Sequence, residues 1–374
     1  MTIIEEWNHR CMRCGNCKYV FKDYIDSCPS GSHFQFETYF ASGRIRLAQG
    51  LSMGELEWNE DLLDPIFACT TCGNCEVQCL APHHEHIVDI IEELRASAVA
   101  NLGALPSHMK FSENIAQHHN PYGVEHHARS LKDLHGLPDK AEVVYFIGCT
   151  SNYRETSIRD ATISILKKAG VEFTIIDEYC CTSPLLRTGQ LEGTSQIAQY
   201  NSDQVSQAGA RTVVTSCSGC YRTLKRDYPR MGVRYEFDIL HITEFIEHLI
   251  DQGSLHIKDS LNIVPYTWHD PCHLGRHMDV YDSPRNVLEK MRVPLLEMET
   301  SRENAWCCGA GGGCKSAYAD WSLETATSRI AQAQDVGASA IVTGCPFCVR
   351  NLRDASEFSK MKVLDIAELV DRLS

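Results

Sequence analysis

Apolar residues recur every three or four positions through residues 34–51 (FQFETYFASGRIRLAQGL) and again through residues 87–100 (IVDIIEELRASAVA), which predicts two amphipathic helices. From residue 101 to residue 139 the chain turns rich in His, Pro, Gly and Asn, a composition that suits a linker better than a core. The pattern then changes character. AEVVYFIGC, ending at Cys149, and NIVPYTWHDPC, ending at Cys272, are short apolar runs that read as buried strands closing on a cysteine.

Each of these runs opens a repeat. RTVVTSCSGCYRTL matches SAIVTGCPFCVRNL, with Val214, Thr215, Cys217, Cys220, Arg222 and Leu224 finding identical partners 128 residues later. DILHITEFIEHL and KVLDIAELVDRL continue the correspondence. Strand and helix alternate through both copies, which argues for two α/β domains with parallel sheets, related as a pseudo-twofold pair. The expected organisation is a helical ferredoxin-type domain over 1–104, a linker over 105–140, and the repeats over 141–255 and 256–374.

Composition narrows the function. A chain of 374 residues with 43% hydrophobic content supports two or three packed domains. No run of about 18 apolar residues and no secretory leader is visible, so a cytoplasmic location is expected, with any membrane contact made through a partner. The net charge of −14 argues against a nucleic-acid surface, which draws its affinity from clustered Lys and Arg. Nineteen cysteines at tight spacing point to metal ligation in a reducing, anaerobic setting rather than to disulfides.

In the first domain, Cys11, Cys14 and Cys17 stand at two-residue intervals, with Cys28 followed by Pro29; Cys69, Cys72, Cys75 and Cys79 form a second run. Three thiolates at such spacing suit one face of a cubane [4Fe-4S] cluster, with a distant cysteine completing it, and paired runs exchange that fourth ligand. Cys11, Cys14, Cys17 and Cys79 then hold one cluster, and Cys69, Cys72, Cys75 and Cys28 the other. Two departures are ten residues rather than three between Cys17 and Cys28, and Pro82 standing three residues after Cys79. Structural zinc is the alternative for four thiolates.

Each repeat carries a single cysteine, an adjacent pair and a Cys-x-x-Cys: Cys149, Cys180, Cys181, Cys217 and Cys220, then Cys272, Cys307, Cys308, Cys345 and Cys348. Strand ends of parallel sheets converge on one edge, so five remote thiols can meet there. The adjacent pairs also admit a reading as redox disulfides. This five-cysteine pattern resembles the CCG domain of heterodisulfide reductases, in particular the D-type form that fuses the small iron–sulfur subunit to the catalytic one. The resemblance covers nearly the whole chain and departs from the motif at Thr182, where a glycine is expected.

The resemblance implies that the two five-cysteine sets hold two noncubane four-iron clusters and are the catalytic residues. Electrons would pass through the cubane clusters to a disulfide such as the coenzyme M–coenzyme B heterodisulfide, cleaved between the noncubane clusters. Arg187, Arg276 and Lys315 are candidate cations for its negative groups. The electron donor would be a flavoprotein or a membrane cytochrome b, within a larger and electron-bifurcating complex. The alternative is an electron-transfer component of a flavin-dependent or benzoyl-CoA reductase-type complex with no disulfide of its own.

Other features carry less. Gly309–Ser316 approaches a phosphate loop, but Cys314 occupies the place of the glycine before Lys315. Cys314 is the one cysteine left over. Histidines at 83–86, 118–119 and 126–127 read as solvent-facing, whereas His269 and His273 flank Cys272 and are candidates to tune a cluster or move protons.

Overall fold

The computed structural model describes residues 2–20, 24–258, 264–357 and 359–374. The chain begins with helices Ile3–Trp7, Ala41–Ser52, Leu63–Phe67, Asn74–Gln78 and Ile87–Leu102, packed through Ile45, Ile66, Phe67, Ile87, Ile90, Ile91 and Leu94. Thr2 starts the first of them with a capping box to Glu5. The helix expected over 34–51 is interrupted, because Gln35 takes φ +52° and ends the helix Pro29–Phe34 before the next begins at Ala41. The insertion after Cys17 forms a small antiparallel pair, β1 (Tyr19–Val20) and β2 (Ile25–Asp26), joined by residues outside the described set.

Residues 105–140, expected as a linker, contain helix Pro106–His118 and helix Ala128–Leu134. Pro106 at the first helical position supplies the start signal, and His108 and Ile115 bury themselves against the rest of the protein. The histidine-rich composition hid an apolar stripe of modest width.

Two parallel sheets follow. The first has strands β3 (Val143–Tyr145), β4 (Phe173–Thr174), β5 (Thr212–Thr215) and β6 (Asp238–His241), in the order β4-β3-β5-β6. The second has β7 (Tyr266–Trp268), β8 (Ala340–Thr343) and β9 (Lys362–Asp365), in the order β7-β8-β9. An isolated parallel bridge from Tyr266 to Leu295 stands where β4 stands in the first sheet. Residues 262 and 263, part of the run that predicts β7, lie outside the described residues.

The repeats interlock at their ends. Helix Ile242–Asp251, which closes the first, packs on helix Asp282–Lys290 of the second; helix Ile366–Leu373, which closes the second, packs on helix Thr156–Lys168 of the first. Both closing helices begin at a capping box, His241 with Glu244 and Asp365 with Glu368. Lys168 completes one junction by donating to Asp371 O at 2.6 Å.

Candidate metal centre

The two N-terminal cysteine runs share one backbone device. Arg13 and Gly15 take φ +57° and +82° between Cys11 and Cys17; Thr71 and Gly73 take φ +52° and +76° between Cys69 and Cys75. Left-handed residues at these positions curl each run so that successive amides and thiols face a common concavity. Cys79 lies in the electrostatic field of Cys17, Cys14 and Cys11, while Cys28 lies with Cys69 and Cys72, and Cys75 with Cys72, Cys69 and Cys28. Cys79 thus sits with the first run and Cys28 with the second. Burial pushes the Cys28 thiol up to about 12 against the opposing charge of Arg44.

In each repeat the five thiols follow one another as a circuit of neighbours that perturb each other's protonation. It runs Cys149, Cys180, Cys181, Cys220, Cys217 in the first, with Cys220 Sγ donating to Cys181 Sγ at 3.4 Å. In the second it runs Cys272, Cys307, Cys308, Cys348, Cys345. Cys217 and Cys345 lie near enough to perturb one another, so the two circuits meet end to end. Cys307 also contacts Cys72, which links the second circuit to the second N-terminal group. Close approach is built into the backbone: a Cβ on Gly148, at φ +78°, would lie 2.8 Å from Cys220 Sγ.

Nine of these ten cysteines line a cavity of about 160 Å³; Cys307 is behind the wall, on the Cys72 side. Phe111, Pro121, Tyr122 and Phe347 give the cavity an apolar rim, and Arg187, His273, Thr150 and Ser183 contribute its polar lining. The former linker thus supplies part of the wall. Smaller space surrounds Cys28, Cys69, Cys72 and Cys75.

Three arginines, Arg44 and Arg95 fully buried and Arg276 half-buried, fasten these groups. Arg44 donates to Pro65 O, Tyr39 O and Ala68 O, beside the second run. Arg95 directs all five N–H groups to Ile66 O, Phe67 O, Cys69 O, Arg187 O and Gly312 O. Arg276 donates to Cys72 O at 2.7 Å and to Glu303 O and Ala305 O. Sequence reasoning missed the first two. A signal existed: Arg95 follows Ile91 by four residues on the apolar face of its helix, where a solvated charge has no place.

Of the three candidate cations, only Arg187 reaches the cavity. It pairs with Glu92 at 2.5 Å and with Asp227, and its Nε–H has no partner. Arg276 is occupied with the carbonyls above, and Lys315 pairs with Asp354 at 2.6 Å and donates to Asn351 at 2.6 Å. Both lie outside the cavity lining. The glycine run serves close approach: a Cβ on Gly312 would lie 2.3 Å from Cys69 O, and one on Gly313 2.4 Å from His108 Nε2. Cys314, fully buried, directs its thiol to Phe67 O at 3.7 Å.

The expected solvent-facing histidines divide: His83 is buried and His126 pairs with Asp177 at 2.7 Å, while His84 is half-exposed. His273 accepts from Arg222 Nη1 at 3.2 Å and lines the cavity. His269 is buried, with Arg329 Nε–H donating to its Nδ1 at 3.1 Å and a ring nitrogen within 4.8 Å of Cys308 Sγ and Cys348 Sγ. Burial, reinforced by the Arg329 charge, depresses its pKa to about 3, so the ring is neutral. Thr182 adopts φ +73°, the conformation that Gly309 takes at +83° after the second pair.

All the described cysteines are free thiols. Soft thiolate sets with buried, unpartnered donors beside them, at Arg187, Arg222 and His269, fit iron–sulfur groups. The comparisons agree. Residues 143–225 and 266–353 match the model of the cysteine-rich domain CCG, and residues 7–81 match that of the 4Fe-4S dicluster domain. The fold and site define an iron–sulfur oxidoreductase.

The chain is 36% identical to the D-type component of the dihydromethanophenazine:CoB–CoM heterodisulfide reductase of Methanosarcina acetivorans, over 96% of this chain and 92% of that protein. It belongs to the D-type heterodisulfide reductase family of CCG-domain oxidoreductases. A more distant relative is the EtfAB:quinone oxidoreductase of Syntrophomonas wolfei, 31% identical over 82% of this chain and 46% of that one. Among solved structures, a hypothetical protein of Helicobacter pylori shares the fold at TM-score 0.56 and 12% identity, over 88% of this chain and 66% of that one. No helix among the described residues is long and apolar enough to cross a membrane.

Proposed function

We propose that this chain reduces a disulfide with electrons received through two cubane [4Fe-4S] clusters and delivered to two noncubane four-iron clusters. The cubane ligands are Cys11, Cys14, Cys17, Cys79 and Cys28, Cys69, Cys72, Cys75; the noncubane ligands are the two circuits of five. The observation that carries this reading is the Cys217–Cys345 contact, which sets both circuits on one cavity. Two like acceptors facing one space suit a substrate with two sulfurs: RS–SR′ + 2e⁻ + 2H⁺ → RSH + R′SH. Bound there, the clusters would supply one electron to each sulfur.

The protein's own residues do the rest. Phe111, Pro121, Tyr122 and Phe347 exclude water from the cavity, and Arg187, whose charge is already met by Glu92 and Asp227, offers its free Nε–H as a donor to an anionic arm such as those of the coenzyme M–coenzyme B heterodisulfide. The nearness of Cys72 to Cys307 supports the second circuit as the point of entry for electrons. The reciprocal packing of the closing helices supports a pseudo-twofold pair of domains at 141–255 and 256–374, with the dicluster domain over 1–104. A flavoprotein or membrane cytochrome b is the proposed donor.

The test is anaerobic purification followed by iron analysis and a disulfide-reductase assay with a one-electron dye. About sixteen irons per chain are expected from four clusters of four. Cys181→Ser and Cys308→Ser should each abolish disulfide reduction while the cubane signals persist. Several zincs and little iron would refute the proposal. The likeness to the quinone oxidoreductase favours a second reading, an electron-transfer component, which gains if the loaded protein relays electrons from a flavoprotein yet leaves every disulfide intact.

A further inference from the structure

The two repeats differ where their circuits begin. Phe146 and His269 each stand three residues before the single cysteine, and their N–H groups donate to Val214 O and Val342 O at 2.9 Å, so they occupy one position in the two folds. Asn201 and Arg329 are likewise equivalent, 128 residues apart on the helices that precede β5 and β8. The first copy therefore has a Phe–Asn pair and the second a His–Arg pair. Asn201 donates to Tyr179 O at 3.2 Å and to the hydroxyl oxygen of buried Tyr228 at 3.0 Å, whereas Arg329 turns to the imidazole.

This fixes the tautomer. A guanidinium N–H only donates, so Nδ1 of His269 accepts and its proton resides on Nε2. Arg329 is held in place by Thr300 O at 2.8 Å and Gln332 Oε1 at 2.6 Å. Nε2–H is buried without a partner in the protein, and a ring nitrogen lies within 4.8 Å of Cys308 Sγ and Cys348 Sγ. Such a donor finds its acceptor in whatever sulfur lies between those thiols. Phe146, fully buried in the apolar core, offers nothing comparable to Cys181 and Cys220.

We propose that His269 donates an N–H···S hydrogen bond to the iron–sulfur group of the second cysteine set, and that this makes the two copies unequal, the second being easier to reduce. A hydrogen bond to a cluster sulfur stabilises the charge that reduction adds. The inference rests on the reading of Cys272, Cys307, Cys308, Cys345 and Cys348 as cluster ligands. It gives the duplication a direction, because electrons arriving from Cys72 meet the better acceptor first.

The test is a paramagnetic-resonance redox titration of the full, iron-loaded chain, with ¹⁵N-histidine labelling. His269→Phe, which copies the first repeat, should retain its iron but lower the midpoint of one noncubane signal, by at least a tenfold fall in the reduced-to-oxidised ratio at fixed poise, about 59 mV for one electron. His269→Gln, which keeps an N–H, should fall between the two. Phe146→His should raise the other signal, and it keeps the proposal open to refutation if His269→Phe fails to load. Weak ¹⁵N coupling in the wild type supports a hydrogen bond; strong coupling with loss of iron in His269→Phe means an iron ligand and overturns the proposal. Unmoved midpoints in a wild-type-like spectrum overturn it alone, whereas a wild type with no noncubane signal overturns it together with the cluster assignment.

Discussion

Arg95 offers the most exposed test of how the redox groups are held together. Its guanidinium is fully buried and joins three parts of the chain: Ile66, Phe67 and Cys69 beside the second cysteine run, Arg187 in the first repeat, and Gly312 in the second. In Arg95→Met the volume is roughly kept and five carbonyls lose a charged donor. Each such bond contributes about 1.5–3 kcal/mol, but the losses share one relaxation, so about 3–5 kcal/mol is the realistic total. Unfolding entropy of about 2.1 cal/mol/K per residue gives about 0.8 kcal/mol/K over 374 residues. The expected fall in melting temperature is then about 4–6 °C, followed anaerobically by loss of near-UV and cluster absorbance. Arg46→Met is the control: Arg46 is exposed and bonds Gln49 and Glu55 at the surface, so its change should stay within about 0.5 kcal/mol. Rapid mixing with a one-electron donor adds a functional readout, since the CCG sites should be reduced more slowly once Cys69 and Gly312 are no longer tied. A melting curve and reduction rates matching the wild type would refute the reasoning.

Gly148→Ala should deplete iron from the first circuit alone, since the added methyl meets Cys220 Sγ at 2.8 Å in a left-handed conformation; metal analysis with resonance spectra checks it. Thr182→Gly should stabilise the chain by about 0.5–1 kcal/mol by relieving a β-branched residue at φ +73°, read as a small rise in melting temperature. At Glu92 burial alone would raise the carboxyl pKa, but Arg187 and Arg222 outweigh it and hold it below the usual range. Stability from this group is therefore complete above the ordinary value of about 4.3 and is lost only as pH falls through the depressed one, so Glu92→Gln should destabilise at pH 7 but much less at the acid end of a pH–stability series.

The chemistry was legible in the sequence because thiol spacing is local. Cys-x-x-Cys runs and adjacent pairs survive any folding, and the expectation that Cys28 and Cys79 change sides follows from there being two runs. The repeat was legible because β5 and β8 keep Val-Thr before the cysteine in the same register. What escaped depends on tertiary partners. Arg44 and Arg95 read as helix-surface charges until carbonyls from other segments surround them. The helix Pro106–His118 was masked because polar residues dominate it and its buried positions, His108 and Ile115, are few. The inequality of Phe146 and His269 required the strand register, which no spacing rule supplies. Arg276 and Lys315 were sound as charges near cysteines, but the sequence has no means of showing that carbonyls and Asp354 claim them.

The interlocked ends explain why two such repeats live in one chain. Ile242, Phe245, Ile246 and Leu249 of the first closing helix share a core with Val287, Leu288 and Met291 of the second repeat. Burying four such side chains is worth about 6–12 kcal/mol as an upper bound, comparable to the whole stability of a domain at about 5–15 kcal/mol. A fragment of residues 141–255 would expose that face and also lack the Ile366–Leu373 helix that covers Thr156–Lys168. It should therefore fail to fold alone, shown by poor dispersion in an amide NMR spectrum, whereas co-expression with residues 256–374 should rescue it. A well-dispersed spectrum from the isolated fragment would mean that each repeat closes its own core, and that the contact of Cys217 with Cys345 joins two finished domains rather than two halves of one.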